Sequence, residues 1–181
     1  LTGQHRELIG PLLKFFDITP DMDLDVMSLN QDLGKLSAKI LTRLEENVEG
    51  LKGDVIFVQG DTTSAFVAAY WAFLKGLPLA HVEAGLRTNN LKNPFPEEAN
   101  RQLIGRIADF HFAPTQSAKQ ALIRENIAKD KIVVTGNTAI DSLLIAARQV
   151  GESAPSGEIG ELMKWIGERK LVLVTAHRRE S

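Results

Sequence analysis

Apolar positions along the chain fall into two rhythms. Residues 55–58, 77–82, 132–135 and 171–175 form short runs rich in β-branched residues and without polar alternation. Each predicts a strand covered on both faces. Residues 111–113 add a further short strand. Between these runs, residues 33–48, 62–74, 97–108, 117–125 and 139–150 place apolar side chains at helical spacing. Strand and helix therefore alternate, which predicts an α/β fold with a mostly parallel sheet and helices on both faces.

Turn chemistry agrees with that division. Gly76 follows a predicted helix, Pro114-Thr115 sits where a strand passes to a helix, and Gly136-Asn137-Thr138 offers cap residues for the next helix. Residues 151–160 (GESAPSGEIG) collect Gly, Ser and Pro with almost no apolar content and predict a linker. The predicted division is a first domain over 1–150, then a linker and the opening strand of a second domain over 151–181. The alternative is that 171–175 is the edge strand of a single domain. Leu1 is not an initiator Met, and the chain stops directly behind an apolar run, so a fragment is expected.

Composition narrows the chemistry. Among 181 residues, Lys+Arg number 21 and Asp+Glu 23, a formal net charge of −2. No basic face points to nucleic acid or an anionic membrane. The longest apolar stretch, 65–74, ends at Lys75, well short of the roughly 18 residues a membrane span needs. Without a single cysteine, disulfides, thiolate catalysis and Cys-ligated zinc are excluded. Carboxylates, His, Lys, Arg and hydroxyls must carry any reaction.

In open parallel sheets, ligands gather beyond the carboxyl ends of the strands. Here the residues in those places are polar: Gln59-Gly60-Asp61-Thr62-Thr63, then Glu83-Ala84-Gly85-Leu86-Arg87-Thr88, then His177-Arg178-Arg179-Glu180. Asp61 reads equally well as a helix N-cap or as a catalytic acid. Pro96-Glu97-Glu98 has the make-up of an ordinary first helical turn, with acids facing the helix dipole. His81 and Glu83, two apart on one strand, share a face and could hold a metal, although a buried, hydrogen-bonded His81 is the simpler state. A carboxylate such as Glu83, at the end of an apolar strand, must be paired, exposed in a cleft, or shifted in pKa. Neither a GxGxxG nor a GxxxxGK[ST] loop is present. Arg178-Arg179 offers planar donors suited to a diphosphate.

Together, Gln4-His5-Arg6-Glu7, Gly60-Asp61-Thr62-Thr63, His81-Val82-Glu83-Ala84-Gly85-Leu86-Arg87-Thr88, Pro94-Phe95-Pro96-Glu97-Glu98-Ala99-Asn100-Arg101, Gly136-Asn137-Thr138-Ala139-Ile140-Asp141 and His177-Arg178-Arg179-Glu180 resemble the non-hydrolysing UDP-N-acetylglucosamine 2-epimerases. The segments occur in family order across nearly the whole chain. The resemblance implies two Rossmann-like domains in the arrangement of the GT-B glycosyltransferases, with a nucleotide sugar between them. This chain would supply most of the first domain, lacking its first strand and the loop after it.

The implied reaction interconverts UDP-GlcNAc and UDP-ManNAc at C2, by anti elimination of UDP and re-addition. The resemblance places acid/base candidates at Asp61, Glu83 and Glu97, and His177 near the leaving phosphate. Arg101, Arg178 and Asn137 are the implied substrate contacts, and Gln4 and Glu7 an implied site for an activating second UDP-GlcNAc. No cofactor and no metal are implied; a homodimer and a cytoplasmic location are. The rival readings are a hydrolysing 2-epimerase, a GT-B glycosyltransferase, and a fragment that binds nucleotide without turnover.

Overall fold

The structure is a computed structural model that describes residues 1–3, 6–27, 31–48, 55–152 and 154–174, with the side chains of residues 6–8 outside that description. The chain divides into two compact units, Leu1–Asn137 and Thr138–Ser181.

The first unit is built on four parallel strands, β1 (Ile56–Gln59), β2 (Leu79–Val82), β3 (Phe110–Ala113) and β4 (Ile132–Val134), in the order β1-β2-β3-β4. Ahead of them lie α1 (Arg6–Phe15) and α2 (Leu33–Asn47). Between the strands run α3 (Thr63–Leu74), α4 (Glu97–Ile107) and α5 (Gln116–Arg124). All four central strands and their three crossover helices thus lie within a few residues of where hydrophobic periodicity predicts them.

The monotonic strand order has a consequence for layering. Right-handed crossovers that all step in one direction must all pass over the same face of the sheet. Accordingly, Val58 and Leu79 pack with Ala65, Ala69 and Ala72 of α3 and Ile104 of α4. Ala113 and Ile132 pack with Ala118 and Leu122 of α5. These three crossover helices therefore share one face of the sheet. On the opposite face Phe57, Phe110 and Val133 are 64%, 48% and 52% exposed. There the Phe57 and Phe112 rings stack at 6.1 Å, reaching across β2 from its two neighbouring strands.

Helix α3 is apolar nearly all round because it is sandwiched. One side rests on the sheet, another on α4, and Val67 joins Leu36 and Ile40 of α2 in a separate cluster with Leu24 and Val26. Its alanines allow that close layering. The segment 24–26 is also tied to the start of the chain, with Leu24 N–H donating to Leu1 O (2.8 Å) and Val26 N–H to Thr2 O (3.0 Å).

The second unit contains α6 (Thr138–Gly151) and α7 (Gly157–Ile166). Helix α7 begins within 151–160, the stretch predicted as a linker, and takes up its last four residues. Ser156 stands at its N-cap, and Gly160 is buried because a Cβ there would come within 2.8 Å of Pro155 O. Gly160 thus answers a close approach between backbones. Of the predicted strand 171–175, residues 171–174 are unpaired among the described residues, and Val172, Leu173 and Val174 are each at least 80% exposed. A β-branched run becomes a strand only when a neighbour supplies the ladder, and no described strand pairs with this one. Thr175 lies outside the described residues.

Candidate active site

The site is assembled where β1 and β2 end. Gly60 leaves β1 with φ +72°, a left-handed conformation that costs glycine little. Its N–H donates to Val82 O at 3.0 Å, and its carbonyl accepts from His81 Nε2 at 2.8 Å. A carbonyl can only accept, so that nitrogen carries the proton. His81 is 1% exposed. Its pKa is lowered to about 4, first by burial, against the opposing bond to Gly60, with His111 and Arg87 adding to the decrease. The buried, hydrogen-bonded state expected for His81 is the one observed.

Asp61 follows directly. Its backbone carbonyl accepts from Asn100 Nδ2 at 2.9 Å, and its carboxylate lies 3.3 Å from Arg101 Nε. Burial pushes its pKa above the ordinary carboxylate value. Arg101 pulls it down, while Glu97 and Glu98 push it further up. The helix cap is Thr62, whose hydroxyl accepts from Ala65 N at 3.2 Å. This corrects the N-cap reading of Asp61: its carboxylate is directed to Arg101 instead.

Glu83 sits one residue past β2 with φ +67°. That left-handed residue breaks the strand's alternation, so the expected shared face of His81 and Glu83 is lost. No group of His, Asp and Glu side chains suited to a metal occurs among the described residues. Glu83 Oε2 instead reaches over the β1 turn, 3.7 Å from where a Gly60 Cβ would lie. The rest of the loop is fastened to α5. Ala84 is fully buried, and Gly85 (φ +91°) passes so near Ala118 that a Cβ would overlap its carbonyl. Arg87, with 4% of its side chain exposed, holds Glu125 through Nε (2.6 Å) and a terminal nitrogen (2.8 Å).

The third carboxylate, Glu97, opens α4 behind Pro96 and is half-buried. The next residue, Glu98, is fully buried and was not singled out from sequence. Its carboxylate accepts from Thr88 N (3.0 Å), Asn89 N (3.0 Å) and Gln102 Nε2 (2.8 Å), and lies 3.2 Å from Arg101 Nε. Burial alone would raise its pKa, but these donors outweigh it and the net direction is down. The legible signal was helical spacing: Arg101 and Gln102 stand three and four residues on, on the same side of α4.

Asp61, Glu83, Glu97 and Arg101 are therefore gathered around the ends of β1 and β2. Asn137 is not part of that group; it is exposed and follows β4, two strands from β2. Gln4, His177 and Arg178 lie outside the described residues, as does the side chain of Glu7 in α1. The gathered groups can carry protons at more than one carboxylate and place a cation beside them, which suits acid–base chemistry on a polar ligand.

An open parallel α/β sheet with acids collected beyond its strand ends defines the class. The family model described as UDP-N-acetylglucosamine 2-epimerase matches residues 1–181, and the chain belongs to that family. It is 46% identical over 185 residues to the UDP-N-acetylglucosamine 2-epimerase of Salmonella borreze, covering all of this chain and 48% of the relative. Identity to the Bacillus subtilis enzyme of the same name is also 46%, over 181 residues and 46% of the relative. The crystal structure of Neisseria meningitidis UDP-GlcNAc 2-epimerase bound to UDP-GlcNAc superposes with a TM-score of 0.83 at 40% identity, covering 91% of this chain and 45% of that one. The chain thus spans about half the length of the relatives it matches.

Proposed function

We propose that this segment forms one wall of the active site of a non-hydrolysing epimerase that interconverts UDP-GlcNAc and UDP-ManNAc. In that reaction the C2–H bond breaks and its electron pair becomes the C1=C2 bond. UDP departs from C1 with the electrons of the C1–O bond. UDP then re-adds at C1, and a proton is delivered to C2 on the opposite face. The C2 proton has no adjacent carbonyl to acidify it, so a positioned base and stabilisation of the departing diphosphate are both required.

The observation that carries this reading is the gathering of Asp61, Glu83 and Glu97 at the ends of β1 and β2, with the Asp61 carboxyl raised by burial. A carboxyl whose pKa is moved up towards the working pH is better suited to both taking and returning a proton. In this reading Asp61, Glu83 and Glu97 share the proton transfers. Arg101 and Asn137 serve substrate binding, and His177 and Arg178 serve the leaving diphosphate. Gln4 and Glu7 contribute to an activating UDP-GlcNAc site. The enzyme works as a homodimer in the cytoplasm; no described helix is long and apolar enough to cross a membrane.

The test uses the full chain with UDP-GlcNAc in D₂O. UDP-ManNAc carrying deuterium at C2, formed without an added acceptor, is expected. Free ManNAc with UDP would identify a hydrolysing enzyme, and turnover only with an acceptor a glycosyltransferase. UDP-ManNAc without deuterium would overturn the solvent-exchanging elimination. Asp61→Asn, Glu83→Gln and Glu97→Gln should each lower kcat by about 10²-fold or more if they transfer protons. His177→Asn should act on kcat more than on KM.

A further inference from the structure

Among the described residues Arg101 is the cation that forms an ion pair with Asp61, and its Nε is shared. It stands 3.3 Å from Asp61 Oδ2 and 3.2 Å from Glu98 Oε2, and 3.4 Å from the Glu97 carbonyl at its own helix turn. The arginine side chain is 11% exposed, that of Glu98 not at all, and that of Asp61 28%. The weakly screened partner of Arg101 is therefore Glu98. Asp61, on the open side, receives what is left of the cation's field.

Glu98 is itself immobilised. Two backbone N–H groups, from Thr88 and Asn89, meet its two oxygens, and Gln102 Nε2 adds a third donor to Oε1. Those backbone groups belong to the loop that follows β2, whereas Gln102 and Arg101 belong to α4. The carboxylate thus ties together the two segments on either side of the site. Thr88 reinforces the same loop by donating its hydroxyl to Asn93 O at 2.6 Å. Glu98 cannot follow Arg101 if the guanidinium moves, so the arginine must stay where both carboxylates reach it.

We propose that Glu98 is a positioning residue, which holds Arg101 between two carboxylates and so limits how much of its positive charge reaches Asp61. The proposal rests on the acid–base role given to Asp61 under the proposed function. An arginine wholly committed to Asp61 would form a tight ion pair and make that carboxylate a poor carrier of protons. An arginine drawn partly away leaves Asp61 with orientation but a proton affinity nearer the working range. The directions agree: burial raises Asp61 first, Arg101 opposes it, and Glu97 and Glu98 both add to the rise.

The other groups facing Asp61 do not replace this control. Glu83 approaches from the end of β2, over Gly60, and brings another carboxyl group rather than a cation. His81 reaches the same turn through Gly60 O but stays neutral down to about pH 4. Thr62, which starts α3, spends its hydroxyl oxygen on the helix cap. Among these groups only Arg101 is a cation, and Glu98 is its most deeply buried anion.

The experiment measures the titration midpoint of the Asp61 carboxyl by carbon-13 NMR in the full chain, for wild type and for Glu98→Gln. The midpoint is expected to fall by about one pH unit in the variant, a tenfold gain in acidity, because a like charge is removed and Arg101 is freed towards Asp61. A midpoint unchanged or raised overturns the proposal. If Glu98→Gln does not fold, Arg101→Gln decides: the Asp61 midpoint should rise, and no rise overturns it. In an Arg101→Gln background, adding Glu98→Gln should move the midpoint by less than half the shift it causes in wild type. An equal shift in both backgrounds would mean that Glu98 acts directly and not through Arg101, and would overturn the positioning role. The titration requires no turnover, so its failure is separate from a failure to form UDP-ManNAc.

Discussion

Asn100 Nδ2 donates to the backbone carbonyl of Asp61 at 2.9 Å, joining residues 39 positions apart in the chain. With the bond from His81 to Gly60 O, two consecutive carbonyls of one turn are held from two different elements, α4 and β2. A carboxylate placed in this way has its backbone restrained before any ligand arrives.

Asn100→Ala should therefore disturb both stability and placement. Asn100 is 6% exposed, so losing its amide leaves the Asp61 carbonyl short of a donor in a half-buried turn, at a cost of about 1–3 kcal/mol. Denaturant unfolding should show that loss, and steady-state kinetics of the full chain should show a fall in kcat larger than any rise in KM. An unchanged unfolding midpoint would show that the bond contributes nothing to the fold.

Two buried histidines predict an acid-sensitive fold. His81 and His111 face each other across β2 and β3, and burial lowers both pKa values from 6.5 to about 4. Between those values the unfolded chain binds more protons than the folded one, so stability rises with pH across the window. It is fully present above about 6.5 and is lost as the pH falls towards 4. Urea midpoints measured between about pH 7 and about pH 4.5 should decline on acidification, and His111→Leu should make that decline shallower. A decline as steep as that of wild type would remove His111 from this account.

Gly85→Ala should be severely destabilising. Its φ of +91° disfavours a side chain, and the added methyl would strike the Ala118 carbonyl on α5. Both faults act at a buried contact, and a loss of about 3 kcal/mol or more is expected, read as a large fall in Tm. A melting curve like that of wild type would mean that α5 yields easily.

Arg87→Lys tests a paired contact that no point charge can reproduce. Arg87 is nearly buried and meets both oxygens of Glu125, whose side chain is 37% exposed. Lysine cannot span both oxygens, so a loss of about 1–3 kcal/mol is expected, with a smaller one for Glu125→Gln because water reaches that end. Equal losses for the two substitutions would contradict this asymmetry.

The sequence by itself determined the alternation of strands and helices, the parallel sheet and the family to which the chain belongs. Those follow from local periodicity and from short motifs, which need no knowledge of distant neighbours. It also pointed to Glu83, a carboxylate directly behind an apolar strand, whereas Asp61 read equally well as a helix cap and Glu97 as an ordinary first helical turn, and the family resemblance brought those two to the site. Tertiary structure alone decided the rest. Pairing of 171–174 depends on a partner strand, and the face shared by the three crossover helices on the order of the strands. Asp61 ceased to be a cap only once Thr62 occupied that place and Arg101 stood opposite. Glu98 looked like a surface acid in a first helical turn until the loop after β2 closed over it. Burial and pairing arise between segments far apart in the chain, and they set the protonation and position on which a carboxylate's chemistry depends.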